Sequence, residues 1–134
     1  MLLALQRAAH HTLHALAAAL AELELTASEL NTMANLADGR PRNVRELSRD
    51  TGTRATTLTG VLDRLERRGY LVRELAAADR RSFLVTLTDQ GRVIADQVRR
   101  AVAGIERRAF DAGDLSSREL AGYHAVITAL QEVS

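Results

Sequence analysis

The stretch Asn43-Val44-Arg45-Glu46-Leu47-Ser48-Arg49-Asp50-Thr51-Gly52-Thr53-Arg54-Ala55-Thr56-Thr57-Leu58-Thr59-Gly60-Val61-Leu62-Asp63-Arg64-Leu65-Glu66-Arg67-Arg68-Gly69-Tyr70 decides the fold. Asn43 and Glu46 have the spacing of a capping box, in which each side chain accepts the other residue's backbone N–H, so a short helix is predicted from there to about Asp50. Thr51-Gly52-Thr53 ends it in a tight turn. From about Arg54 to Arg68, the residues Leu58, Val61, Leu62 and Leu65 fall on one side of a second helix. Gly69 closes that helix and puts Tyr70 where it can touch Leu65. Two helices joined by a Gly-containing turn, the second amphipathic, form the helix-turn-helix pattern, whose second helix enters the DNA major groove.

Downstream, Leu71 to Leu75 and Phe83 to Leu87 are short β-rich runs joined by Ala76-Ala77-Ala78-Asp79-Arg80-Arg81-Ser82. That spacing suits an antiparallel hairpin with a basic tip, a wing able to reach the minor groove beside the helix. Thr88 caps a long helix predicted to about Ala112, with Val93, Ile94, Val98, Ala101, Val102 and Ile105 on one side and Gly113 as its breaker. Ser116 and Glu119 form another capping box, with Leu115 and Leu120 as its hydrophobic staple. Leu120, Tyr123, Ile127 and Leu130 stripe the last helix.

Upstream, Leu13, Leu16, Leu20 and Leu23 recur at helical spacing, predicting a helix over 2–24. Thr26 and Glu29 read as a third capping box, with Leu25 and Leu30 as staple, opening a helix that should stop near Asp38 because Gly39 and Pro41 follow. No internal repeat, low-complexity tract or linker interrupts the chain. The fold class expected is therefore mainly α: a winged helix-turn-helix with a small antiparallel β-wing over 25–91, flanked by N- and C-terminal helices over 1–24 and 92–134, in a single domain over 1–134.

A chain of 134 residues with 46% hydrophobic residues can bury one core of ordinary size. It has no cysteine, which removes disulfides, thiol catalysis and Cys-ligated zinc, and fits a reducing cytoplasm. Arg7 and the His10, His11, His14 group interrupt the apolar start before a membrane span of roughly 18 residues can form, so a soluble, cytoplasmic protein is expected. Net charge is only +1, yet from Arg40 to Arg81 there are 11 arginines against six acids. Every basic residue is arginine, whose planar fork suits phosphates and guanine edges, although genome composition alone could produce the same bias.

On the second helix, the side opposite Leu58, Val61 and Leu65 carries Thr53, Thr56, Thr57, Gly60, Arg64 and Arg67. Thr56 and Thr57 are placed to read bases. Arg64 and Arg67 lie toward the C-terminal end and suit phosphates, the alternative being surface ion pairs with Asp63 or Glu66. Gly60 inside a helix costs about 1 kcal/mol relative to Ala, which either close approach to DNA or tight packing would justify.

The motifs Thr57-Leu58-Thr59-Gly60, Leu65-Glu66, Gly69-Tyr70-Leu71, Asp79-Arg80-Arg81 and Leu87-Thr88-Asp89-Gln90-Gly91 stand at the spacings of the MarR (multiple-antibiotic-resistance regulator) family, which this sequence resembles from Thr57 to Gly91. Helix order extends the resemblance over nearly the whole chain. It implies a homodimeric repressor that places Arg81 in the minor groove, Arg80 beside it and Asp79 as the carboxylate orienting both. The sequence departs from the family pattern at Gly60, often an Arg, at Arg54, often a capping Ser, and at Ala76 to Ala78, usually more polar. Arg54 thus joins the expected DNA contacts with its capping role in doubt.

Helix-turn-helix dimers read palindromic duplexes, and the stripes Leu13 to Leu23 and Leu120 to Leu130 are expected to pack between two copies. The resemblance also implies a small aromatic or anionic effector between the terminal helices and the winged part, near His10, His14, Met33 and Arg99. His10 and His14 could share a metal ion, but with no acidic or Cys partner nearby a surface cluster is the expected reading, and neither metal nor cofactor is expected. No catalytic motif stands out, so no enzyme is expected. The competing class is a winged-helix protein-protein interaction module without DNA specificity, which the basic wing argues against.

Overall fold

The computed structural model describes residues 2–76, 79–113 and 116–133, with the side chains of 79–81 outside that description. It falls into two compact units, residues 1–103 and 104–134. The chain runs α1 (Leu2–Ala19), α2 (Ala27–Leu36), β1 (Arg42–Asn43), α3 (Val44–Thr51), α4 (Ala55–Arg67), β2 (Leu71–Ala76), β3 (Asp79–Leu87), α5 (Asp89–Gly113) and α6 (Ser117–Glu132). This is the mainly helical winged helix-turn-helix expected. Among the described residues no helix is long and apolar enough to cross a membrane.

In the first unit the core is built from one face of each helix and the inner side of the sheet. Leu30, Met33 and Leu36 of α2, Leu47 of α3, Leu58, Val61, Leu62 and Leu65 of α4, Leu71 and Val85 of the sheet, and Val98 of α5 are all essentially inaccessible. Each contributes roughly 1.5–3 kcal/mol of burial free energy. The Asn43–Glu46 capping box is complete, and α4 ends in a Schellman motif, with Gly69 N–H donating to Glu66 O at 2.9 Å and Tyr70 N–H to Leu65 O at 3.0 Å. Gly69 takes φ +80°, where an L side chain would be strained.

The N-terminal helix is shorter than predicted. It stops at Ala19, and Ala21–Leu23 form a 3-10 turn closed by Glu24 in the left-handed region at φ 53°. A distant residue holds this turn: Arg68, at the end of α4, donates to Glu24 O at 2.8 Å and Leu23 O at 2.9 Å, with its guanidinium 5.1 Å above the Tyr70 ring. Leu16 and Leu20 are buried within this chain, so half of the stripe assigned to a partner copy is already covered. α2 ends at Leu36, two residues early, where Gly39 N–H bonds Leu36 O.

The sheet has three strands in the order β1-β3-β2, one more than predicted. The added strand pairs Arg42 with Val85 and Asn43 with Leu84. Much of the segment expected as a connection is strand: β2 and β3 pair from Leu71↔Leu87 to Leu75↔Phe83, then slip in register to Ala76↔Asp79. Ala77 and Ala78, at the expected tip, lie outside the described residues.

Arg42 fixes β1 by donating to both Asp38 oxygens, at 2.8 and 2.5 Å, and to Asp50 at 3.1 Å. The side-chain hydrogen bonds from Arg42 hold the Asp38 carboxyl at about 2, below its ordinary 3.8. At the start of α5, Thr88 Oγ1 accepts Gly91 N–H at 3.0 Å and donates to Gly69 O at 2.6 Å. A Cβ on Gly91 would stand 1.7 Å from Tyr70 O, so only glycine fits there.

In the second unit, the Ser116–Glu119 capping box opens α6 as predicted, Leu115 of the proposed staple lying outside the described residues. No α6 residue is buried, and of its stripe Tyr123, Ile127 and Leu130 are exposed while Leu120 is half-buried.

Candidate nucleic-acid interface

The turn between α3 and α4 is fixed from three directions. Gly52 takes φ +68°, Ser48 Oγ donates to Thr53 O at 2.6 Å, and Thr51 Oγ1 donates to Leu47 O at 2.7 Å. From α2, Asn31 Nδ2 donates to Thr51 O at 3.0 Å. These bonds set the angle at which α4 leaves α3.

α4 is two-faced as its sequence predicts. Leu58, Val61, Leu62 and Leu65 are buried, while Arg54, Thr56, Thr57, Arg64 and Arg67 are exposed and Gly60 half-buried. Arg54 occupies the N-cap without a side-chain cap bond, so it does not satisfy the first-turn N–H groups of α4, a helix end whose polarity suits an anion. A side chain at Gly60 would meet only Arg64 Nη1, at 3.6 Å, an ordinary contact. Of the two reasons offered for a glycine there, tight packing is thereby removed.

Arg64 does not pair with Asp63 or Glu66, the ion-pair partners considered for it. Its Nε donates to Glu29 Oε1 at 2.9 Å, and Glu29 is buried on α2. The Thr26 capping box is correspondingly half-formed: Thr26 Oγ1 accepts Glu29 N–H at 3.2 Å, but the Glu29 carboxylate goes to the arginine. A bond in which both partners are charged outweighs one from a neutral backbone N–H to the same carboxylate. Glu24, Glu29, Arg64, Arg67 and Arg68 line a cleft of about 480 Å³ beside the C-terminal half of α4.

Asp63 and Glu66, the partners considered for Arg64 and Arg67, belong to the wing instead. Arg73 on β2 donates through Nη2 to Asp63 at 2.6 Å and through Nε to Glu66 at 2.8 Å. Burial works to lower the Arg73 pKa, but the hydrogen bonds it donates to the two carboxylates, with their charges, outweigh it and leave it above the ordinary arginine value. Sequence reading missed Arg73, Arg68 and Glu29, since nothing local pairs residues that far apart. The backbone of Asp79, Arg80 and Arg81 is in β3, and their side chains lie outside the described residues.

The expected effector residues are differently placed. His10 and His14 are exposed on α1 with ring centroids 4.3 Å apart. Met33 is 0% exposed in the core, and Arg99 is an exposed α5 residue paired with Asp96 at 2.8 Å. Among the described residues no group of three or more His, Cys, Asp or Glu could hold a metal ion.

Residues 23–82 match the sequence model of the MarR family. The HTH-type transcriptional regulator SarZ of Staphylococcus aureus is 28% identical over 100 residues, 75% of this chain and 65% of SarZ. The chain thus spans about 65% of the length of the curated relatives it matches. Among solved structures, NadR in complex with 4-hydroxyphenylacetate superposes with a TM-score of 0.86 at 19% identity, covering 98% of this chain and 92% of NadR. The overoxidized AbfR bound to DNA gives 0.71 at 20% identity, covering 98% and 90%. With its helix-turn-helix and wing built as described, this chain has the fold of these structures, and over residues 23–82 it is similar to the MarR family.

Proposed function

We propose that this chain is a ligand-responsive transcriptional repressor that binds a palindromic duplex as a homodimer. The observation that carries the reading is the split of α4 into a buried leucine-valine face and an exposed face bearing Thr56, Thr57, Arg64 and Arg67, with the wing tied to the same helix through Arg73. Thr56 and Thr57 meet base edges in the major groove, with Gly60 allowing the backbone close to the duplex. Arg54, Arg64 and Arg67 meet phosphates, and Arg81 enters the minor groove with Arg80 beside it and Asp79 orienting both. The likeness to SarZ, a transcriptional regulator, and to AbfR, seen bound to DNA, supports this reading.

Two copies are inferred because α6 presents Tyr123, Val126, Ile127 and Leu130 to solvent, a row that association would cover. The 4-hydroxyphenylacetate in NadR supports a small aromatic or anionic effector here, with His10, His14, Met33 and Arg99 as the candidate contacts. Such an effector acts by favouring a dimer whose two recognition helices no longer match the half-site spacing.

The test is selection of duplexes from a random library, followed by fluorescence anisotropy and footprinting. The wild type is expected to protect two half-sites about 10 base pairs apart. Arg81→Ala is expected to weaken binding about tenfold or more. A strictly monomeric protein that ignores duplexes at low ionic strength overturns the reading, and an unchanged affinity in Arg81→Ala removes the wing assignment.

A further inference from the structure

Glu29 is the one buried charged residue among the described residues, 4% exposed. Withdrawing a carboxylate from water without a counter-charge is strongly unfavourable, so Arg64 cannot swing away without stranding it. The arginine is constrained less from its own side. Its side chain is 50% exposed, and Nε is one of five N–H donors on the guanidinium. The Nη groups make no further hydrogen bond among the described residues.

Nη1 lies 3.6 Å from where a Cβ on Gly60 would stand, which places the guanidinium one turn back along α4, toward Thr56 and Thr57. Glu29 grips it from the protein side, and its outer edge remains open. Arg67 lines the same cleft and has no ion pair among the described residues.

The geometry points to Glu29 as a positioning residue for DNA recognition: from its buried site on α2 it holds Arg64 so that the Nη groups are presented to a backbone phosphate beside the recognition helix. This rests on the DNA-binding reading above. Two effects oppose each other. The Glu29 charge repels phosphate, whereas its grip removes ordering that a free arginine would undergo on binding. Because Glu29 stands behind the guanidinium, the Arg64 charge is the one that faces the phosphate, and the ordering effect prevails. The sign of the change on removing Glu29 therefore separates a positioning role from simple neutralisation of Arg64.

Duplex binding is measured by anisotropy across a salt series for the wild type, Glu29→Met, Glu29→Gln, Arg64→Ala and the Glu29→Met/Arg64→Ala double variant, with thermal melts confirming that each is folded. Glu29→Met, similar in size and without an acceptor, is expected to bind about three- to tenfold more weakly, the cost of ordering one released side chain. Glu29→Gln keeps an acceptor for Nε and loses less, and it decides the matter if the Met variant does not fold. In the Arg64→Ala background the Glu29 substitution brings no further loss and, with the carboxylate's repulsion of phosphate removed, equal or slightly tighter binding, while the magnitude of the salt slope falls by about 0.9 relative to wild type. Equal or tighter binding by the Glu29 variants with Arg64 present, or a loss that persists without Arg64, overturns the positioning role. A wild type that ignores duplexes removes the DNA reading itself, so the two failures are distinct.

Discussion

Arg73 Nη2 stands 2.6 Å from Asp63 Oδ1, joining the first strand of the wing to the middle of the recognition helix, and Nε completes the fork on Glu66. Wing and helix are thereby joined by a charged fork. Arg73→Ala leaves two carboxylates one turn apart on α4 facing each other. Both are partly solvated, so the stability loss is expected to be about 1 kcal/mol in urea denaturation. Amide exchange in β2 should quicken more than in α2, and equal protection in variant and wild type would remove the coupling.

Gly91→Ala and Gly104→Ala should change stability in opposite directions although both lie in α5. The first would press a Cβ to 1.7 Å from Tyr70 O, whereas the second meets nothing within 4 Å. A loss of about 3 kcal/mol or failure to fold is expected for Gly91→Ala. A gain of up to about 1 kcal/mol is expected for Gly104→Ala. Parallel thermal melts read both, and a tolerated Ala at 91 would contradict the contact with Tyr70.

Gly60→Ala tests the glycine whose neighbours have room for a side chain. With only Arg64 Nη1 at 3.6 Å, helix propensity should raise stability by about 0.5–1 kcal/mol. Affinity for the selected duplex should fall nonetheless, because the added methyl stands on the face offered to the groove. A variant that gains stability and keeps full affinity would show that DNA does not approach Gly60.

Asp38 gives stability a dependence on acid. The hydrogen bonds from Arg42 hold its folded pKa at about 2, below the ordinary 3.8. Its contribution is thus complete above about pH 4 and is lost as the pH falls through 2. The carboxylate is 43% exposed, so solvent limits the effect to about 1 kcal/mol or less. Arg42→Ala should flatten this part of the stability-pH curve, measured by denaturant titration between pH 2 and 5.

Features governed by a few adjacent residues were legible in the sequence. The capping boxes at Asn43 and Ser116 and the Schellman ending at Gly69 follow from cap chemistry within five residues, and each forms where predicted. The two-faced α4 was equally readable, since its period fixes which side is apolar. Strand β1 was not, because two residues carry no period and Arg42-Asn43 becomes a strand only through pairing with β3. Thr26-x-x-Glu29 matched a local motif whose second half yielded to an arginine 35 positions away. Gly91 stood out in a motif, but its reason is a carbonyl at Tyr70 that sequence spacing does not reveal.

The guanidinium of Arg68 has a mechanical consequence. It is attached to the last turn of the recognition helix and clasps the two carbonyls at which the chain emerges from the N-terminal helix turn. Tilting that first helix must either drag the tail of the reading helix with it or break both bonds. One side chain thus ties the start of the chain to the end of the element carrying Thr56 and Thr57.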